Sequence, residues 1–578
     1  MKPSIQALFI RPQTSIRQAM RTITRAGRLK LPVGIALVTD RNERLIGTVT
    51  DGDIRRALVK GFSIDDPVKN IMAKEPITVG DHLTVDDMLK TVMAKVKESG
   101  RIRDFKVDKV IIATPKKKVV DVVDFYELWS KQEQRHKKIC VVGTGYVGLT
   151  LSLVLSESGY KVIGVDKDPR LVRKLSRGES PFYEKGLQPL LGLQLKEDNL
   201  KFTARWKTDG SDVYIICVGT PVDDKSRRPD FGALLRAAED VGKVLKKDDL
   251  VVLRSTVPVG TTRKLVLPIL EKRSALKAGK DFYLVFAPER VVEGKALEEM
   301  KEIPQILGGV NKQSVQAAAR VFQAFNPSLI ALDSLEEAEM IKLINNSYRD
   351  LSFAFSNKVA LMCDKLNLDA VKIIKASNEG YPRNPVALPS PGVGGYCLTK
   401  DPYLMAEVAK KIKVSPDMFL ESRRTNQAMP RLVAQKVLKF LKSHRPKERR
   451  IKIFLLGFAY KGYPETSDMR GSPTVDILKI LQSRLKNTAV FFGYDPVAKK
   501  ENIERLRVTY ASYKEGFKDS HVVLILNNNP EFAKIDIFAL LETMKRPGLF
   551  FDGWRFYLPQ EIKKIKGILY QGLGEGFN

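Results

Sequence analysis

Residues 138–168 read KICVVGTGYVGLTLSLVLSESGYKVIGVDKD, and no other stretch limits the fold as much. A short apolar strand runs into Gly143-Thr-Gly145-Tyr-Val-Gly148, which opens a helix, and a second apolar strand ends at Asp166. Only a strand–turn–helix–strand unit with parallel strands suits this order. The first glycine permits the tight turn and the second lets backbone approach a pyrophosphate. The third allows close helix–strand packing, while the helix N-terminus attracts phosphate. Asp166 follows about 20 residues after the turn, where a carboxylate accepts hydrogen bonds from a ribose hydroxyl. A 2′-phosphate would be repelled there, so NAD is expected rather than NADP.

Strands and helices continue to alternate through VYIICVGTP, a helix from about Phe231, LVVLRSTVPVG and FYLVFAPER. From about Glu336 to Val371 there is no Pro or Gly, which suits one long helix or two packed ones. A loop rich in Gly and Pro follows, YPRNPVALPSPGVGGYCLTKDP. A charged linker, KSHRPKERR (442–450), precedes another α/β pattern that opens with IKIFLLGFAYKG. That opening has no full glycine fingerprint, as expected of a Rossmann-like domain that takes no dinucleotide.

The first 135 residues contain a weak internal repeat. QTSIRQAMRTI (13–23) resembles HLTVDDMLKTV (82–92), each with a polar N-cap candidate, Ser15 or Thr84, before an apolar-periodic helix. RLIGTVTDGDIRRAL (44–58) and KKVVDVVDFYELW (117–129) occupy the same place in the two copies. Neither copy can bury its sheet face alone, so two form one module. The polar run SKQEQRHKK (130–138) reads as a linker.

Composition excludes some functions. Lys and Arg exceed Asp and Glu by 31 in 578 residues, but residues 1–138 hold only +11 of that surplus. The charge is spread rather than gathered in an arm or stripe, and no nucleic-acid-binding pattern appears, so nucleic acid is not the expected partner. No apolar run reaches the roughly 18–20 residues of a membrane helix, and no signal peptide is evident. Four cysteines cannot form a disulfide framework, and a reducing, cytoplasmic setting is expected. The four histidines, His82, His136, His444 and His521, lack ligand spacing, so no metal is expected.

Cys140 and Cys217 lie in apolar strands and Cys363 in the helical region, where each reads as a small buried hydrophobe. Cys397 follows Val-Gly-Gly-Tyr in a loop and precedes Leu-Thr-Lys400-Asp401. A nearby Lys would lower its thiol pKa and favour thiolate. Spacing alone leaves a catalytic and an incidental cysteine both open. Lys342 and Asn346 stand at i, i+4 on one helix face, able to hold an oxyanion or water, or simply solvated.

In combination, GTGYVGL, STVPVGTT (255–262), APERVVEG (287–294), AEMIKLINNSYRD (338–350), GVGGYCLTKD (392–401) and GFAYKGYPETSDMRGSP (457–473) resemble the UDP-glucose/GDP-mannose dehydrogenase family from about 137 to 570. The resemblance implies an α/β fold with two Rossmann-like doubly wound domains (137–335 and 450–578) joined by a helical, dimerising region (336–440). It implies a four-electron oxidation of a nucleotide sugar at C6 by NAD. Cys397 would hold first a thiohemiacetal and then a thioester, and water would release the uronate. Lys342 would stabilise charge on the C6 oxygen, and Asn346 would orient the sugar. Asp401 and Thr256 would hold the water, and Glu289 would act as base with Glu293 beside it. Gly143, Gly145, Tyr146, Val147, Gly148, Asp166, Thr220 and Thr256 would meet the cofactor. Glu293, Lys342, Asn346, Arg383, Gly394, Lys461 and Arg470 would meet the UDP-sugar, and a homodimer would form through the central helices.

Many UDP-glucose enzymes read Pro-Glu-Phe-Leu where this chain reads Pro288-Glu289-Arg290-Val291. That segment and YPRN look more like the UDP-N-acetylhexosamine branch, ManNAc or GlcNAc. UDP-glucose 6-dehydrogenase is the alternative. A two-electron 3-hydroxyacid dehydrogenase, needing no Cys397, and a nucleotide-sensing protein with an inactive dehydrogenase body are the others.

Residues 1–130 resemble a pair of cystathionine-β-synthase-type (CBS) domains, an α+β module, through GTVTDGDIRRAL. The resemblance implies an adenine-nucleotide site with Thr50 at a phosphate and Asp53 at a ribose. Aligning Asp53 with Asp124 puts Lys118 at Gly47 and Asp121 at Thr50, a carboxylate where phosphate would sit, so at most one site is expected.

Overall fold

The computed structural model describes residues 5–28, 34–74, 76–83, 109–124, 137–206, 210–223, 225–383, 385–444 and 450–575, with residues 87, 88, 91, 92, 94, 95 and 448. Thr84, residues 130–136 of the first linker and residues 445–447 and 449 of the second lie outside them. The chain divides into two compact units, Met1–His136 and Lys137–Asn578.

The first unit holds two three-stranded sheets of one design. β1 (Phe9–Ile10) runs parallel to β2 (Ile35–Thr39), which runs antiparallel to β3 (Leu45–Thr50). β4 (Thr78–Gly80), β5 (Lys109–Ala113) and β6 (Val119–Asp124) repeat that order. Both antiparallel ladders slip at the same place, between Val38 and Thr39 and between Ile112 and Ala113. Leu37 and Leu45 of one copy share a core with Ile111 and Val122 of the other. The repeat is therefore structural, but its register corrects the sequence alignment. Thr50 pairs with Ile35, and Asp124 pairs with Lys109. Asp124 thus stands where Thr50 does, and Asp121 where Gly47 does. The residue that matches Thr50 in the second copy is therefore Asp124 rather than Asp121. Ser15 precedes helix α1 (Ile16–Arg28) and accepts from Gln18 N at 3.3 Å.

Helix α2 (Asp51–Val59) starts at a capping box. The Thr50 hydroxyl accepts from Asp53 N at 3.2 Å, and Asp53 accepts from Thr50 N at 2.9 Å. Arg56 holds the other Asp53 oxygen at 2.6 Å.

The second unit has an eight-stranded sheet. Its strands are β7 (Lys138–Val142), β8 (Lys161–Val165), β9 (Leu200–Thr203), β10 (Val213–Ile216), β11 (Leu250–Leu253), β12 (Tyr283–Phe286), β13 (Gln305–Gly309) and β14 (Leu329–Leu332). Their order is β14-β13-β12-β11-β10-β7-β8-β9. All neighbours are parallel except β12 and β13, a departure from the fully parallel expectation. Alternate residues of β7 feed two cores: Ile139 and Val141 point to one face, Cys140 and Val142 to the other. Both faces are covered, as in a doubly wound sheet. Between β7 and β10 the chain reverses its progress across the sheet, and the crevice for a ligand opens at such a switch.

Helix α3 (Tyr146–Glu157) follows β7. Helix α4 (Leu335–Leu366) is a single rod of 32 residues, opened by a Ser334–Glu337 capping box and closed by Asn367 in the left-handed region. It packs on α5 (Asp401–Lys411) and α6 (Asp417–His444). The C-terminal domain has a parallel six-stranded sheet, ordered β17 (Thr509–Tyr510), β16 (Ala489–Tyr494), β15 (Ile451–Leu456), β18 (Val522–Ile525), β19 (Gly548–Asp552), β20 (Ile568–Gly572). After β15 a long loop intervenes before α7 (Pro473–Leu485), so no tight turn delivers a helix N-terminus there. No helix among the described residues is long and apolar enough to cross a membrane.

Candidate active site

The glycine turn is built by steric necessity. Gly143 has φ +89°, and its N–H donates to Val165 O at 2.7 Å. A Cβ on Gly143 would lie 3.1 Å from the Cys217 carbonyl, and one on Gly148 would lie 1.8 Å from the Gly143 oxygen. Gly145 faces open space, with nothing within 4 Å. It caps α3 without any side-chain hydrogen bond. The first N–H groups of a 12-residue helix, with Tyr146 and Val147 in its first turn, are thereby left for an anion. Asp166 accepts from Thr144 N at 2.8 Å and from Asp168 N at 3.0 Å, which fixes its carboxylate beside the turn. Thr220 follows β10, and its hydroxyl donates to the Thr256 carbonyl at 2.5 Å. This donor set fits a dinucleotide.

Helix α4 supplies the next wall. Buried Glu339 accepts from Thr262 N at 2.8 Å and from Gly260 N at 2.5 Å, tying the STVPVGTT loop to the helix. Burial raises its pKa to about 7. One turn on, Lys342 is 8% exposed. Asn346 Nδ2 donates to Asp401 Oδ2 at 2.5 Å. Asp401 is fully buried and is also paired with Lys400 Nζ at 2.6 Å. Its backbone N–H donates to the Cys397 carbonyl at 2.8 Å, so the loop and helix α5 share a turn.

Cys397 is solvent-accessible within this ring. Its thiol pKa is raised, first by desolvation and then by Asp401, while Lys342 and Lys400 pull the other way. Lys400 does lower it as expected, but desolvation and Asp401 outweigh the two lysines, so the net shift is upward and corrects the expected thiolate. The glycines before it are wedged against the C-terminal domain. A Cβ on Gly394 would lie 2.5 Å from the Gly471 oxygen, and one on Gly395 (φ +85°) would lie 2.6 Å from the Tyr460 ring.

The two glutamates differ. Glu289 is buried, and burial alone would raise its pKa. Arg254 at 2.6 Å, Val291 N and Lys342 outweigh that and hold it low. Glu293 accepts from the Thr466 hydroxyl at 3.1 Å, and its pKa is raised by burial and then by Asp468. Lys461 Nζ donates to the Glu293 carbonyl at 2.7 Å. Arg470 forks onto Asp468 at 2.9 and 2.7 Å and lies 5.3 Å from the Tyr396 ring centre. Hydrogen bonds and electrostatic contacts thus link Lys342, Asn346, Asp401, Cys397, Glu293, Lys461 and Arg470. Thr256 joins through Thr220, with no hydrogen bond from its hydroxyl to Asp401. Arg383 is exposed, with its guanidinium 5.1 Å over the Tyr381 ring centre.

Sequence reasoning missed Arg254, Glu184 and Arg349. Arg254, a charge ending the apolar run LVVL, was the one with a signal. Buried Glu184 accepts from Gly294 N at 2.7 Å and from the Tyr146 hydroxyl, joining the glycine turn to the PERVVEG loop. Arg349 continues the Lys342–Asn346 stripe and acts electrostatically on Lys461. Among the described residues no group of three His, Cys, Asp or Glu side chains could hold a metal.

Profiles of the UDP-glucose/GDP-mannose dehydrogenase family match the chain in order: the NAD binding domain over 137–326, the central domain over 336–428 and the UDP binding domain over 454–559. A CBS domain profile matches 2–60. A pyridine nucleotide-disulphide oxidoreductase profile also matches 47–200. A UDP-N-acetyl-D-mannosamine dehydrogenase of Pyrococcus horikoshii is 31% identical over 440 residues, covering 76% of this chain and 99% of that one. An NDP-N-acetyl-D-galactosaminuronic acid dehydrogenase of Ralstonia solanacearum is 31% identical, covering 69% and 92%. The solved UDP-N-acetyl-mannosamine dehydrogenase Cap5O of Staphylococcus aureus superposes with a TM-score of 0.64 at 31% identity, over 76% and 98%.

Proposed function

The chain belongs to the UDP-glucose/GDP-mannose dehydrogenase family and is an NAD-dependent nucleotide-sugar dehydrogenase, and from that premise we propose that it oxidises C6 of a UDP-N-acetylhexosamine to the uronate. One observation carries the chemistry: an accessible Cys397 ringed by Lys342 and the Asn346–Asp401–Lys400 chain. The relatives named above carry the sugar.

Bound NAD accepts hydride. Lys342 holds the negative charge that builds on the C6 oxygen. Cys397 adds to the C6 aldehyde and keeps the sugar attached until the thioester is hydrolysed. Asp401 fixes the Asn346 amide toward the same carbon. Glu293, with its raised pKa, is the better placed of the two glutamates to take a proton from water. Glu289, held ionised by Arg254, serves as an electrostatic anchor for Lys342.

Two NADH per sugar, with UDP-ManNAc or UDP-GlcNAc preferred in a panel with UDP-Glc and GDP-Man, is the expected result. UDP-Glc oxidised best would overturn the N-acetylhexosamine reading, and one NADH per sugar would overturn the four-electron reading. A cytoplasmic setting is proposed with it, in keeping with four cysteines that form no disulfide framework.

Lys461 gives a pH signature. Burial, with Arg349 in support, lowers its pKa to about 8. Only the protonated form attracts a diphosphate. Above about pH 8, KM for the UDP-sugar is expected to climb. Lys461→Arg, which stays charged, should remove that limb from the kcat/KM profile.

Homodimerisation rests on the reverse of α4. Ile344, Tyr348, Phe355, Met362 and Leu366 are 50–69% exposed. At 3.6 residues per turn they form one stripe about 40° wide, opposite Lys342 and Asn346. Phe355→Glu should sediment as a monomer. In the front unit an adenine nucleotide would have to displace Arg56 from Asp53, so binding is expected to be weak and regulatory. No change in melting temperature with millimolar ATP, ADP or AMP would leave that unit a structural role.

A further inference from the structure

A cleft of about 630 Å³ separates the glycine turn from the C-terminal domain. Thr144, Gly145 and Tyr146 line one wall, and Lys499, Asn502 and Arg505 line the other. We propose that Lys499 and Arg505 are cofactor-positioning residues that hold the phosphates of NAD against the N-terminus of α3. The inference rests on the reading above only in placing NAD at that turn.

The charge balance supports it. Arg470 also borders the cleft, but its guanidinium is taken by Asp468 at 2.7 Å. Lys500, next in the chain, reaches toward Glu504 at 3.8 Å. Neither Lys499 nor Arg505 forms an ion pair with any described residue. Two uncompensated cations therefore face the uncapped N-terminus of a 12-residue helix across an open space. Glu293 and Asp468 also border the cleft, the latter paired with Arg470, and the two free cations with the helix end still leave it net positive, which favours a dianionic pyrophosphate. The helix end alone offers only about half a positive charge. The C-terminal domain has no phosphate turn after β15, so these cations serve no dinucleotide of its own. The same domain carries Lys461 and Arg470.

The test is a titration of the full-length protein with NAD alone, followed by steady-state kinetics. Arg505→Ala and Lys499→Ala should each weaken NAD about tenfold, and the double variant more. KM for NAD should rise while kcat and KM for the UDP-sugar stay within twofold, and Arg505→Lys should recover most of the loss. An unchanged NAD affinity in both variants overturns the proposal. So does a loss that falls on the UDP-sugar instead, which would assign the cations to the substrate's diphosphate. Because NAD binding is read without turnover, an unsuitable sugar panel would sink the substrate reading and leave this one standing.

Discussion

Cys397→Ala is expected to stop uronate formation, lowering its rate by about 10⁴-fold or more. The second oxidation needs a carbon that carries both hydrogen and a negative oxygen, and an aldehyde has that only after a nucleophile adds. In the proposed mechanism that nucleophile is the sulfur at 397, which the ring of Lys342, Lys400 and Asp401 surrounds. The variant should fold normally. The bond that fixes the loop, Asp401 N–H to Cys397 O at 2.8 Å, is made by backbone. At most one NADH per sugar should appear, released with free aldehyde, and the melting temperature should not move. Uronate formed at undiminished speed would sink the mechanism.

The second large effect concerns stability. Arg423→Met should cost about 3–5 kcal/mol, read as a lower denaturant midpoint. Arg423 and Asp350 are buried and paired at 2.6 Å. Asp350 also accepts from Ser422 at 2.8 Å and Asn426 at 2.8 Å, but neither carries the balancing charge. The effect should reach the chemistry as well. Asn426 accepts from Asn357 at 3.0 Å, and Asn357 accepts from Ser390 N at 2.8 Å, seven residues before Cys397. Removing both charges, as Asp350→Leu with Arg423→Met, should restore most of the stability, because no charge is then left buried alone. A single variant as stable as the parent would show that water reaches Asp350.

What was legible in the sequence depended on how local its cause is. Gly143 and Gly148 are dictated by contacts within one turn, and they stand where expected. Lys342 and Asn346 follow from helical period alone. The partners that tune them are long-range: Arg254 meets Glu289 across 35 residues, Glu339 meets Thr262 across 77, and Glu184 meets Gly294 across 110. No pattern in the chain announces such pairs. The direction of the Cys397 shift was misjudged because burial is a property of the packed loop, not of the neighbouring Lys400. In the front unit, matching one aspartate to another misplaced the second copy, since hydrogen-bond register, not residue identity, fixes which position faces which. Arg383, expected at the sugar, is exposed and lies over Tyr381, and its part in binding stays a proposal.

Helix α4 has lysine and asparagine along one side and a bare apolar ridge along the other. In the proposed dimer, the demands of turnover and of assembly act on the same rod from opposite directions. Few of its 32 positions are left to drift, and a change made to suit one side is transmitted through a stiff backbone to the other.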